Sequence, residues 1–141
     1  MKISRRHALA SFAAIAFFTT LGMALEGEMP VEGLWVDRLC GLEGVQVDIT
    51  MMRTPDGHGR VELTKFRNPE LVGAEPAIAP PNTLGFRQIM FAVEDIDDTV
   101  ARLRAHGAAL VGEVVQYEDK YRLCYLRGPA GVIVALAEAL S

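Results

Sequence analysis

The stretch that decides the fold is Ala14–Glu28, AIAFFTTLGMALEGE, read beside Thr99–Glu113, TVARLRAHGAALVGE. At a constant offset of 85 (107 − 22), Gly22 falls on Gly107, Ala24 on Ala109, Leu25 on Leu110, Gly27 on Gly112 and Glu28 on Glu113. Ile15, Ala16 and Phe18 fall on Val100, Ala101 and Leu103. Five identities in the last seven positions of the pair are more than a generic helix–glycine–strand unit gives, so the chain contains one structural module written twice.

Each copy has a physical reading. Ile96, Val100 and Leu103 recur at helical spacing and make one apolar stripe. Asp95 suits an N-cap, and Asp97 and Asp98 suit the positive start of a helix over Asp95–His106. Gly107 stops that helix with a left-handed cap, and Ala109-Leu110-Val111 enters a strand. In the first copy Ser11 is the candidate cap, Ile15 and Phe18 form the stripe, and Gly22 ends it.

Working outward, Val45, Val47, Ile49 and Met51 alternate on one face of a strand over Val45–Met52. Pro55-Asp56-Gly57-His58-Gly59 is a turn, and Arg60–Phe66 is the hairpin partner. Asn68–Asn82 holds four prolines and no period, which is the pattern of a linker. Phe86–Val93 reads as a strand before the second helix. Leu110–Gln116, Tyr121–Arg127 and Val132–Ala137 read as strands after it, with a turn at Gly128–Gly131. The second half is therefore β-α-β-β-β. The first is α-β-β-β, with a short extra helix around Leu34–Leu42. The expected organisation is a first module over 1–67, a Pro-rich linker over 68–84 and a second module over 85–141.

Composition excludes several classes. Half of the 141 residues are hydrophobic and 23% are charged, the balance of a globular chain with a core to bury. Net charge is −4, and no basic run is present that would suit nucleic acid. Cys40 and Cys124 make neither a disulfide framework nor a CxxC metal site, which fits a reducing cytoplasm. The N-terminus admits a second reading. Lys2, Arg5 and Arg6 precede the apolar run Ala8–Phe18, and Ser4-Arg5-Arg6 is similar to a twin-arginine export signal over residues 1–24. The run is too short to span a membrane, and the repeat assigns it to the folded module.

The order and spacing of four segments carry a family resemblance. They are Ala14–Gly22 (AIAFFTTLG), Pro55–Phe66 (PDGHGRVELTKF), Gly85–Asp98 (GFRQIMFAVEDIDD) and Leu126–Leu136 (LRGPAGVIVAL). Together they resemble the vicinal-oxygen-chelate superfamily, which includes glyoxalase I, bleomycin-resistance proteins, methylmalonyl-CoA epimerase and extradiol dioxygenases. The resemblance implies an α+β fold of two βαβββ modules forming a cupped mixed sheet, the first module lacking or degrading its first strand. It also implies a divalent metal held by one His or Glu from each of four strands, chelating a substrate with two adjacent oxygens. A divalent ion with open positions polarises a carbonyl or stabilises an enediolate.

Carried over position by position, Glu62 stands at the family's glutamate before Leu63 and is ligand and candidate base. Gln88 stands where a histidine is usual and ligates only weakly. Ala135, before Leu136, stands where a glutamate is usual and cannot ligate. The fourth ligand belongs to a strand before the first helix. Met1–Ala8 does not alternate as that strand should, and His7 could serve only after a deletion between strand and helix; an ordinary terminal histidine is the simpler reading. A lone carboxylate needs compensation, so Glu62 is expected to meet Arg122, Arg87, a metal or water.

Parity fixes which side chains share the cavity face. Arg60, Thr64 and Phe66 accompany Glu62; Phe86, Met90 and Ala92 accompany Gln88; Ile133 and Ala137 accompany Ala135. On Tyr121–Arg127 either Tyr121, Leu123 and Tyr125 or Arg122, Cys124 and Leu126 point inward. Trp35 covers the pocket as a short lid or packs on the sheet. His58 reads as a solvated turn residue, and Cys124 as buried packing. Two functions follow: a glyoxalase-like metal-assisted lyase, isomerase or dioxygenase on a small oxygen-bearing molecule, or a metal-free, bleomycin-resistance-like binder of a small molecule. Either is expected as a homodimer, with a second chain covering the sheet edge exposed by the missing strand and with no nucleic-acid or membrane partner.

Overall fold

The structure, a computed structural model, describes residues 5–73 and 76–141, with side chains from residue 13 onward. The chain forms two compact units, Met1–Gly73 and Ala74–Ser141.

In the first unit, helix α1 (Arg5–Thr20) leads into an antiparallel sheet of β1 (Ala24–Glu32), β2 (Gln46–Arg53) and β3 (Arg60–Asn68), in that order, with helix α2 (Leu34–Cys40) between β1 and β2. Val47 on β2 lies between Val31 and Phe66 in the register. With Val36 of α2 and Val45 these side chains build one core, against which Ile49 packs. Thr50 and Met52 are buried on the opposite face of β2. The turn after α2 is held by the Asp37 carboxylate, which accepts from the main-chain N–H groups of Gly44 at 3.0 Å and Val45 at 2.7 Å.

In the second unit a five-stranded sheet has the order β4-β8-β7-β5, from β4 (Gln88–Ala92), β8 (Ile133–Ala139), β7 (Tyr121–Arg127) and β5 (Ala109–Leu110), and β6 (Val115–Tyr117) also pairs with β7. The β4–β8 pair is parallel and the others are antiparallel. Helix α3 (Ile96–Ala105) buries Ile96, Thr99, Val100 and Leu103. It packs on β8, whose Val134 and Leu136 are buried beside Cys124 and Leu126 of β7. Burying a leucine of this core fully is worth about 2 kcal/mol.

The duplicated segment is duplicated in hydrogen bonding too. Gly22 N–H donates to Thr19 O and Met23 N–H to Phe18 O, both at 3.0 Å. Gly107 N–H donates to Arg104 O at 3.0 Å and Ala108 N–H to Leu103 O at 3.1 Å, the same pattern 85 residues on. Both glycines take positive φ, +105° and +91°, which a side chain would oppose.

Two sequence expectations are corrected. Helix α1 starts at Arg5, so Ser11 lies inside it and is not its cap; residues 5–8 are helical, where the sequence does not alternate as a first strand should. The reason is local: Arg5–Ala10 holds good helix formers and neither glycine nor proline. Residues 1–4 lie outside the described residues. The strand expected over Leu110–Gln116 is broken into β5 and β6, because the chain leaves the ladder around Gly112. The Asp95 cap holds as expected, its side chain accepting from Asp98 N–H at 3.0 Å.

Candidate functional site

The residues of interest stand on one face of each sheet. In the first unit Glu62 is cross-strand from Met51, Thr64 from Ile49, and Arg60 from Arg53. Glu62 is exposed, and its Oε1 accepts from Thr64 Oγ1 at 2.6 Å. The two arginines expected beside it have partners within the second unit. Arg122 Nη1 and Nη2 donate to the Asp97 carboxylate at 2.6 and 2.9 Å, and Arg87 donates to the carbonyls of Thr83 and Leu84. Arg60 makes a two-point pair with Glu26 at 2.7 and 3.0 Å, which holds the Glu26 carboxyl below its ordinary value. Phe66 is taken up by the core under α2. Trp35 is 61% exposed, with its indole lying against Gly33.

In the second unit the register lines up three rows across β4, β8 and β7. They are Gln88–Ile133–Arg127, Met90–Ala135–Tyr125 and Ala92–Ala137–Leu123. Tyr121 follows on the same face, and β6 sets Tyr117 beside it. All three tyrosines of the chain, Tyr117, Tyr121 and Tyr125, therefore share one sheet face. Tyr117 was not among the expected site residues. Its signal was available: it closes the same tight hairpin as Tyr121, so both point to one side.

This register decides the open choice on β7. Tyr121, Leu123 and Tyr125 face the side of Gln88 and Met90. Arg122 and Cys124 face α3, and their assignment to the ligand face is corrected. Arg122 anchors the start of α3 through Asp97, and Cys124 is buried, which pushes its thiol up. Ile133 is also buried and offers the face little surface.

The Asp97–Arg122 pair carries a pH expectation. Arg122 holds the Asp97 carboxyl below its ordinary value of 3.8. A depressed carboxylate stabilises the fold above the unfolded-state value and loses that contribution as pH falls through the folded-state value. Acid unfolding monitored by circular dichroism should therefore begin at lower stability below about pH 4, and Asp97→Asn should flatten the decline. An unchanged acid slope in the variant would remove the pair from the account.

A family-type metal centre does not fit these residues. The first unit supplies the Glu62 carboxylate, engaged with Thr64. The second supplies the neutral Gln88 and, at the glutamate position, the methyl group of Ala135, only 1% exposed. His7 lies on α1 rather than on a strand. Among the described residues no three His, Cys, Asp or Glu side chains converge on a common point.

Comparison with known proteins agrees with this architecture. The Glyoxalase/Bleomycin resistance protein/Dioxygenase superfamily model matches residues 11–136. A crystal structure of a glyoxalase family protein from Bacillus cereus is 52% identical, with a TM-score of 0.88, covering 92% of this chain and 87% of that one. A glyoxalase/dioxygenase from Nostoc punctiforme shares the fold at 20% identity, with a TM-score of 0.57, covering 91% and 82%. So does TnmS3, an antibiotic binding protein from Streptomyces, at 16% identity, with a TM-score of 0.55, covering 99% and 90%. No curated protein matches the chain. No helix among the described residues is long and apolar enough to cross a membrane.

Proposed function

Since the chain belongs to the Glyoxalase/Bleomycin resistance protein/Dioxygenase superfamily, we propose that it binds a small oxygen-bearing organic molecule on the tyrosine-bearing sheet face without the family's four-ligand metal centre. The observation that carries this reading is Ala135. It stands in the middle strand between Met90 and Tyr125, where a chelating carboxylate would be needed, and it has no donor atom. Gln88 is neutral, so the expected donor set reduces to one carboxylate. Four-coordinate sites need anionic or imidazole donors that this set lacks.

The face suits binding. Alanines 135, 137 and 139 give the middle strand short side chains on this face, and tyrosines on the next strand offer aromatic surface with a hydroxyl at the tip. The fold is put to such use elsewhere: the Streptomyces protein that shares it is an antibiotic binding protein.

Two measurements test the reading. Protein purified without chelators should contain far less than one divalent ion per chain by mass spectrometry of the elements. In a thermal-shift screen of phenolic, quinone and keto-acid ligands, a binder of the wild type should lose about tenfold in affinity in Tyr125→Ala, the loss of one aromatic contact. A full equivalent of metal that disappears in Glu62→Ala would overturn the proposal in favour of metal-assisted chemistry.

A further inference from the structure

The face of the first sheet that bears Glu62 and Thr64 has an exposed strip along its middle. At one end helix α2 lies over Val31, Val47 and Phe66. Beyond it the register sets Met29 beside Ile49, then Gly27 beside Met51, then Arg53 beside Arg60. Met29 is 58% exposed, Gly27 is exposed, and Ile49 and Met51 are half-buried. The floor of the strip is therefore apolar, bounded by α2 at one end and by charge at the other. From Ile49 to Arg53 it runs about 13 Å along β2.

Two features of this strip serve no need of the sheet itself. The first is Gly27. It lies inside β1 and its φ is not positive, so the backbone does not require glycine there. A Cβ at this position would meet nothing within 4 Å, so packing does not require it either. Its repeat mate Gly112 lies where the second copy leaves the ladder, whereas Gly27 stays paired with Met51. A glycine inside a strand weakens it, and it marks a place where another group comes close to the main chain.

The second feature is the charge at the far end. Like charges directly opposite each other destabilise a sheet, yet Arg53 stands opposite Arg60. The irregularity between Leu25 and Gly27 makes Glu26 the extra residue of β1, and its carboxylate is turned onto Arg60 in a two-point pair. Arg60 is thereby neutralised. Glu62 is turned the other way, to Thr64. Arg53 is left with no hydrogen bond or ion pair among the described residues.

We propose that this strip binds an amphiphilic organic acid, its carboxylate on Arg53 and its apolar chain lying over Gly27 between Met29 and Met51. A guanidinium offers a carboxylate two parallel donors. The bare main chain at Gly27 lets the ligand lie against the sheet, and methionine side chains adapt to its shape. Charge and apolar floor are both needed, so neither a short acid nor an uncharged chain suffices. The site lies within the first unit and does not rest on the tyrosine-bearing face of the second.

Amide chemical shifts of isotope-labelled protein, followed on addition of hexanoate, acetate or 1-hexanol up to about 10 mM, test this. Hexanoate should bind with a dissociation constant of about 1 mM, its shifts gathered on residues 26–30 and 49–53. Acetate and hexanol should each bind at least about tenfold more weakly. Arg53→Gln should weaken hexanoate about tenfold, whereas Lys65→Gln, on the opposite face of β3, should leave it unchanged. Gly27→Val should abolish binding while thermal stability is kept or raised, since valine suits a strand better than glycine and finds open space. That combination separates an occupied site from a fold defect. No saturable shift with hexanoate overturns the proposal, as do shifts confined to other residues or acetate that binds as tightly as hexanoate. So does hexanoate affinity that is unchanged in Arg53→Gln or Gly27→Val, or lost in Lys65→Gln.

Discussion

Ala135→Glu, which restores the carboxylate at the family's ligand position, is expected to destabilise the protein by about 4 kcal/mol rather than create a metal site. The position is 1% exposed and sits between Met90 and Tyr125 in the register. Two costs add. The larger side chain enters a filled layer, which costs about 1–3 kcal/mol. The carboxyl loses water without gaining a cationic partner, and it answers by staying protonated at neutral pH. The sign of the pH dependence follows. The new group has a raised value in the folded state, so that state binds the extra proton, and stability falls as pH rises through that range. The defect should be larger at pH 8 than at pH 5 in urea unfolding. Divalent zinc or manganese should not restore the midpoint, because Gln88 is neutral and no cluster of three donor side chains exists among the described residues. A metal-dependent recovery to wild-type stability would show that the remaining donors are already arranged, and would sink the metal-free reading.

Ala135 also shows what the sequence could and could not reveal. The repeat and the glycine caps were legible because both depend on local rules: helical spacing, a left-handed residue at Gly22 and Gly107, and alternation in the following strand. Which residues share a face was legible wherever one strand had a fixed partner. For Glu62, Thr64 and Arg60 the hairpin turn fixed it, and the register confirms the shared face. On β7 alternation alone left two answers, because the strand is partly buried on both sides. Only pairing with β8 puts Tyr125 beside Ala135 and Cys124 beside Leu136. The partners of Glu62 were not legible at all. Arg122 is drawn to Asp97 by the start of α3, and Arg87 by two carbonyls in the preceding loop, contacts that no periodicity encodes. The start of α1 differs because Ser11 suits a cap by type, while the propensities of Arg5–Ala10 extend the helix past it.

The Pro-rich segment was read as a linker, and a second substitution shows that part of it is seated on the second unit. Gly131→Ala is expected to cost about 3 kcal/mol, against about 1 kcal/mol for Gly57→Ala. Both glycines have nearly the same positive φ, +79° and +78°, so both variants carry the backbone penalty of a left-handed alanine. They differ in what the new methyl group meets. At Gly57 nothing lies within 4 Å, whereas at Gly131 the Cβ would stand 2.6 Å from the carbonyl oxygen of Ala77. That oxygen belongs to the main chain and cannot rotate aside. It is also held close by its surroundings: Arg127 Nη1 donates to Ala79 O and to Gly131 O, both at 2.9 Å, tying the segment to the turn before β8. Relief of the clash must either lift residues 77–79 or tilt the turn that leads into Ile133 and Ala135. The difference between the two variants in urea midpoint, with equal m-values, therefore isolates the contact from the φ effect. Equal losses would mean that the segment is not seated on the turn. The predicted difference would mean that residues 77–79 of the Pro-rich segment fix the start of the strand on which the candidate ligand face is built.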